Sequence, residues 1–381
     1  MSKILNIEAK IEDIEYSPQL CRELNVYPET KLHSGEALSE TGFIVKRNNE
    51  SYAMSRWVSP KRTRSYPRAN VYDTYKYKNR ITVIPIVKDE GKDGDRDYLQ
   101  FDTIYLMSLL QVYVIIGYYT SAEKNQDYEN KITNQKFDYD YLSEKFSDLW
   151  DYQSDALHWN LKQIDEMSNI SETTIDSYYD KIASETGVEL HSKKHMVSKL
   201  EDITEEAEKF KENSRALAKE AQNRESVTDQ PKERTVHEKA TITIENYIGG
   251  KYFLTVDEVV VKGDTLFLIE KKHTSRTLPS MNDIKNGLVL MILFTNLPFA
   301  TIGDKKYEVK PVLGLTGNKF SGFCSNNDGI TDEIGSSVSN TYKKRLKDVF
   351  KEGNKNDFDV YAIQSGREEK EKAILDTIAN T

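Results

Sequence analysis

Thr255-Val-Asp-Glu-Val-Val-Val-Lys-Gly-Asp-Thr-Leu-Phe-Leu-Ile-Glu-Lys-Lys-His273 is the stretch that decides the fold class of this 381-residue chain. Two apolar runs flank Lys262-Gly-Asp-Thr265, and a Gly-Asp pair between such runs signals a two-residue hairpin with Gly first in a type II′ turn. With Gly263 and Asp264 as the loop, Lys262 faces Thr265, and five steps back Asp257 faces Glu270. Directly opposed side chains on an antiparallel pair share a face, with Cβ atoms about 4.5–5.5 Å apart. Lys272, two residues beyond Glu270, falls on the same face, while Glu258 pairs with Ile269 and points the other way.

Two carboxylates that close repel each other unless a cation sits between them. Mg²⁺, a hard cation that prefers oxygen ligands, is the natural occupant. The Lys272 ammonium beside it can orient a metal-bound water or help deprotonate it, and these are the parts needed to attack a phosphodiester. The bland alternative is a solvated hairpin edge whose charges make ordinary cross-strand pairs.

Around the hairpin, Pro231 opens a helix running to about Tyr247, with Val236, Ala240, Ile244 and Ile248 spaced by four; the alternation Thr241-Ile-Thr-Ile244 leaves a strand open. Downstream come a helix over Met281–Thr295 and a strand over Tyr307–Leu315, giving the order helix–strand–strand–helix–strand. Asp257…Glu270-Lys-Lys272 in that order, with the segment His273–Leu297 behind it, resembles the PD-(D/E)XK nuclease superfamily and in particular a type II restriction endonuclease. The resemblance covers about residues 229–320, and Val256 stands where the family usually has proline. It implies an α/β (α+β mixed) fold with a restriction-endonuclease-like core, a mixed central sheet flanked by helices. It also implies Asp257 and Glu270 as metal-binding acids, Lys272 as the catalytic lysine and Mg²⁺ as cofactor. Some members add an acid from the preceding helix, for which Glu238 and Glu245 are candidates. The implied activity is hydrolysis of phosphodiester bonds in double-stranded DNA at a specific sequence, and a palindromic target would suit a homodimer. Another nuclease of the superfamily, for repair or defence, or a DNA-binding protein with a degenerate hairpin are the rival readings.

Upstream, the chain reads as a mixed α/β DNA-recognition region over 1–140 and a helical region over 141–228, before the nuclease core over 229–381. Net charge is −9, but Thr41–Arg80 holds ten basic residues against two acids, a local +8 that leaves −17 on the rest. Such asymmetry fits one phosphate-facing surface. Within it, Arg56, Lys61, Arg62, Arg64 and Arg68 are interleaved with Ser, Thr and aromatic residues, as expected of a DNA-contacting loop; a basic face paired with the acidic helices is the alternative. Ile81–Val87 reads as a strand, with Pro85 placing it at an edge or bulge. Leu99 to about Leu110 reads as a helix, and Val112–Tyr119 as its continuation or a buried strand. Leu200 and Ile203 begin an apolar helical stripe.

The remaining constellations are weak. The acidic loop Lys88–Asp97 starts like a calcium loop, but Ile104 stands where the bidentate Glu belongs. It is a turn with solvated acids first and a reserve active site with Glu123 and Lys124 second. His191 and His195 have the spacing of a zinc-protease helix, yet Ser192 replaces the general-base glutamate, which makes them surface residues. No glycine-rich phosphate loop appears, which argues against a nucleotide cofactor. The two cysteines, the charged N-terminus and the short apolar run Ile104–Tyr119 point to a cytoplasmic protein with no membrane role.

Overall fold

Apolar residues at Ile7 and Ala9, alternating with polar neighbours, make Leu5–Lys10 the first strand, β1. The computed structural model describes residues 5–61, 67–213, 238–246, 251–330 and 338–366. The chain divides into two units, one built from Met1–Arg22 with Leu217–Thr381 and the other from Glu23–Ala216. This replaces the three consecutive regions expected from composition (1–140, 141–228, 229–381). β1 pairs in parallel with Ala240–Glu245, and the middle helices pack on the sheet of residues 23–140.

The inserted unit, Glu23–Ala216, carries β2 (Val26–Pro28), α1 (Thr30–His33), β3 (Gly42–Arg47), β4 (Glu50–Arg56), α2 (Pro67–Asp73) and β5 (Arg80–Pro85). There follow β6 (Val87–Asp89), β7 (Arg96–Tyr98), α3 (Phe101–Leu109), β8 (Tyr113–Gly117), β9 (Tyr119–Lys124) and β10 (Ile132–Phe137). Its helical part is α4 (Tyr139–Trp150), α5 (Ala156–Asp165), α6 (Met167–Asp176), α7 (Ala183–Thr186) and α8 (Lys193–Asn213). The sheet order is β2-β3-β4-β5-β8, so β5 is interior; Pro85, expected at an edge or bulge, is tolerated as its last residue. The apolar run Val112–Tyr119 forms strands and does not continue α3.

Strand β8 is the last of that sheet, and its free backbone groups are met by side chains of α5. Asn160 Oδ1 accepts from the Val114 N–H at 2.7 Å, and Asn160 Nδ2 donates to the Val112 carbonyl at 3.0 Å. Trp159 Nε1 donates to the Val114 carbonyl at 2.7 Å, and Gln163 Oε1 accepts from the Ile116 N–H at 3.3 Å. A helix thus blunts a sheet edge that would otherwise invite another strand.

The composite unit contains β11 (Glu238–Glu245), β12 (Lys251–Lys262), β13 (Thr265–Thr274), α9 (Met281–Phe294), β14 (Phe299–Ile302), β15 (Lys305–Gly317), β16 (Phe323–Ser325), α10 (Asn340–Lys355) and β17 (Asp359–Gln364). Residues 238–245 are a strand where a helix to Tyr247 was expected. Ala240, Ile242 and Ile244 are buried and Thr241 and Thr243 are half-exposed, so the period of two prevails over the spacing of four. β11, β12 and β13 form an antiparallel meander; α9 then carries the chain to β15, which runs parallel to β13. A second helical connection, α10, leads to β17, parallel to β15. β1 pairs with β11 on one side and β14 on the other, and β14 pairs with β15, so six strands form a closed circuit. The molecule is mixed α/β with a large mixed sheet.

The chain after β1 is clamped to the ends of α9 and α10. Asn296 exchanges two hydrogen bonds with the backbone of Glu15, and Asn356 does the same with Ser17. Between them, Tyr16 Oη donates to the fully buried Glu352 carboxylate at 2.7 Å.

Candidate active site

The β12–β13 ladder pairs Lys262 with Thr265 and continues without a slip to Glu258 with Ile269, the register expected from the turn. Gly263 has φ +58° while Asp264 lies outside the positive-φ residues, the sign pattern of a type II′ turn. Phe267 and Ile269 pack with Val260, Val312 and Tyr361 on one face of the sheet. Alternation therefore puts Leu268, Glu270 and Lys272 on the other face, toward α9. Lys272 lies across α9 at Gly287, where an added Cβ would stand 3.0 Å from Lys272 Cε.

Glu270 is buried at 5% exposure, and its Oε1 accepts from Lys272 Nζ at 2.5 Å. Asp257 is exposed, and its Oδ2 accepts from the backbone N–H of Lys271 at 2.9 Å, beside the Glu270–Lys271 peptide. The structure therefore brings Glu270 and Lys272 into direct contact and ties Asp257 to the adjoining peptide. The reason Asp257 leaves the ladder lies on its other side. Against β11, Glu238 pairs with Val259 and Ala240 with Val256, so β12 has one residue more than its partner. This is a β-bulge at Asp257-Glu258, a device that re-aims a side chain next to functional sites. The sequence carries no clear signal of it, because Val259, Val260 and Val261 are all apolar and hide the change of phase after Tyr252, Leu254 and Val256.

Glu258, expected to point away as a bystander, is buried at 7% exposure and forms an ion pair with Lys271. The two candidates for a further acid sit on β11, a strand and not a helix. Glu238 pairs with Val259, at the bulge, whereas Glu245 pairs with Lys251 and bonds Lys10 at 3.1 Å. Six residues separate Lys251 from Asp257, roughly 20 Å of strand, which removes Glu245 from this site.

Among the described residues no group of three or more His, Cys, Asp or Glu side chains gathers as a metal cage. The donors present are the carboxylates of Asp257 and Glu270. One or two carboxylates are the kind of donors that Mg²⁺ takes together with several waters and substrate phosphates, whereas calcium and zinc take fuller ligand sets.

The expected DNA contacts fare unevenly. Arg56 is half-buried at the end of β4, donates from Nε to the Glu40 carbonyl at 3.2 Å, and burial pushes its pKa down. It is a structural residue of the inserted unit and not an exposed phosphate contact. Lys61 is exposed, 4.0 Å from Asp97 Oδ1. Pro67 opens α2, which places Arg68 in a helical first turn and not in a loop. Arg62 and Arg64 lie outside the described residues. Of the other basic residues in this segment, Arg47 pairs with Glu29 at 3.4 Å and Arg80 lies over the Tyr75 ring.

The acidic loop and His191 also depart from expectation. Asp89 is fully buried; its Oδ1 meets His191 Nδ1 at 2.7 Å and its Oδ2 lies 3.6 Å from Arg96. Asp97, at 7% exposure, accepts from Ser59 Oγ at 2.8 Å. Asp89 and Asp97 are internal anchors of the inserted unit, while Asp93 and Asp95 in the turn between them are exposed, as expected of solvated acids. α8 starts at Lys193, so His191 precedes the helix and shares no helical face with His195.

The chain matches no protein-family model, no curated protein and no solved structure. Its site stands on its own geometry. No helix among the described residues is long and apolar enough to cross a membrane.

Proposed function

We propose that the chain is a Mg²⁺-dependent endonuclease acting on double-stranded DNA, of the type II restriction kind and working as a homodimer in the cytoplasm. The observation that carries this reading is the hairpin end: a buried Glu270–Lys272 pair beside a bulge that presents Asp257 to solvent. The meander β11–β12–β13, the helix α9 and the parallel strand β15 support a restriction-endonuclease-like core. Ligands of such sheets collect beyond the carboxyl ends of the parallel strands, and Lys272 lies near that end of β13.

Asp257 and Glu270 would hold the Mg²⁺, which supplies a polarised phosphate and an activated water. Glu270 holds the Lys272 ammonium, a fixed positive charge for the oxyanion that develops on the attacked phosphate. α9 covers the stem of Lys272 and keeps water from that side.

Supercoiled plasmid incubated with Mg²⁺ should be nicked and then linearised, and a chelator should abolish cutting. Discrete fragments on DNA of known sequence separate a site-specific enzyme from a structure-directed repair or defence nuclease. Asp257→Asn, Glu270→Gln and Lys272→Ala should each lower cleavage at least about a hundredfold, as when a preorganised electrostatic contact is removed. DNA binding should survive, and Ca²⁺ should support binding without cutting. DNA binding without cleavage in any divalent metal would move the chain to the class of binding proteins with a degenerate hairpin.

A further inference from the structure

Lys271 touches both residues of the bulge. In a two-residue hairpin, hydrogen-bonded pairs recur at every second position back from the turn: Lys262 with Thr265, Val260 with Phe267, Glu258 with Ile269. The next such pair would join Val256 to Lys271. The bulge withdraws Val256 to β11, where it pairs with Ala240. The Lys271 N–H is taken instead by the side chain of Asp257, at 2.9 Å. The Lys271 ammonium reaches back to the Glu258 carboxylate. One residue of β13 therefore holds Asp257 by its backbone and Glu258 by its side chain, and the two contacts together hold both residues of the bulge.

We infer that Glu258 and Lys271 are positioning residues for the proposed nuclease site: their ion pair holds the bulge, and the bulge aims Asp257. Neither side chain touches the reacting phosphate. A bulge has a competing state close by, in which β12 slips one residue and Asp257 changes face. The Glu258–Lys271 charge pair ties the second residue of the bulge to the same lysine whose N–H holds the first. Glu258 sits where alternation would place an apolar residue, next to Val259 and Val260, both buried. Burial of a carboxylate there demands its partner and makes the register specific.

The inference rests on the proposed activity, but its spectroscopic test does not. The amide proton at position 271 donates to a carboxylate and should resonate downfield in the full chain; Asp257→Ala supplies the reference for loss of that bond. Glu258→Gln and Lys271→Met should each move this amide toward the Asp257→Ala position and speed its hydrogen exchange, with the Gly263 turn amides unmoved. In cleavage assays both variants should lose about tenfold or more in kcat with KM within twofold. Combining Glu258→Lys with Lys271→Glu should restore the amide position and most of the rate. An amide left at its wild-type position in Glu258→Gln or Lys271→Met overturns the inference, as does an undiminished kcat. If one variant fails to fold, the other decides. A wild-type chain that cuts no DNA ends the nuclease reading, while the amide measurement still decides whether this pair aims Asp257.

Discussion

Gly287 occupies the middle of α9, where alanine would be favoured by about 1 kcal/mol on helix propensity. Its position explains the residue: a Cβ there would lie 3.0 Å from both Leu313 Cδ1 and Lys272 Cε. Those contacts are tighter than most between packed side chains, so a neighbour must give by a few tenths of an ångström, and the flexible one is the lysine whose amine Glu270 holds. Gly287→Ala is therefore expected to raise the melting temperature little or not at all despite its better propensity, while cleavage falls several-fold because the Lys272 amine is displaced. A normal rate together with a higher melting temperature would show that Lys272 moves aside without consequence. The sequence marks Gly287 only as an oddity in an apolar helix; the need for it comes from a strand fifteen residues earlier. By contrast, the opposition of residues 258–262 to 265–269 was legible at this scale, because a Gly-Asp turn admits a single register; the next expected pair, Asp257 with Glu270, is lost to the bulge.

Elements were legible where one period dominated and failed where two coexisted. Val236, Ala240, Ile244 and Ile248 satisfy a helix spacing and the period of a strand together; for Ala240 and Ile244 pairing with β1 and β12 selects the strand, while Val236 and Ile248 lie outside the described residues. Val112–Tyr119 carries no amphipathic signal since both sides are covered, and α5 completes the edge of β8 with side chains. Asn160→Ala should destabilise the inserted unit by about 1–3 kcal/mol, the usual penalty for a buried backbone group left unpaired. Chemical denaturation with the transition of that unit unchanged would remove Asn160 from its edge role. A second element, the β6–β7 ribbon, gives a pH test. Burial pushes the Glu90 carboxyl up, but the Lys88 hydrogen bond at 2.7 Å and the charges of Lys88 and Lys131 outweigh it, leaving the pKa below the usual value. A depressed carboxyl stabilises the fold above its unfolded pKa, about 4.3, and loses that contribution as pH falls through the folded value. Lys88→Met combined with Lys131→Met should lower stability at pH 6 and narrow the loss between pH 6 and pH 3; an unchanged slope of stability against pH would show that this pair carries none of it.

At the scale of the whole molecule, net charge misleads in both directions. The chain is acidic at −9, yet the segment 41–80 holds ten basic residues against two acids. A count of cations in turn overstates the phosphate-binding surface, because Arg47, Arg56 and Arg80 are engaged inside the inserted unit by Glu29, the Glu40 carbonyl and the Tyr75 ring. Composition cannot separate these roles, since an arginine over a tyrosine and one over a phosphate have the same sequence context. Salt dependence can. Each phosphate contact releases counterion, and the logarithm of affinity falls against the logarithm of salt with a slope of about −0.9 per contact on duplex DNA. Replacing Lys61, Arg62, Arg64 and Arg68 together by alanine should flatten that slope by as much as about 3.6 if all four meet phosphate, with the melting curve little changed. Arg56→Ala should do the reverse, because its guanidinium is half-buried and bonds the Glu40 carbonyl. It should lower the melting temperature, and at temperatures where the variant is folded its salt slope should match wild type. A quadruple variant with an unaltered slope would assign these cations to the protein's own acids and leave the proposed nuclease to hold DNA by other residues. An Arg56→Ala variant that melts normally and binds with a flatter slope would return Arg56 to the DNA surface from which its burial now excludes it.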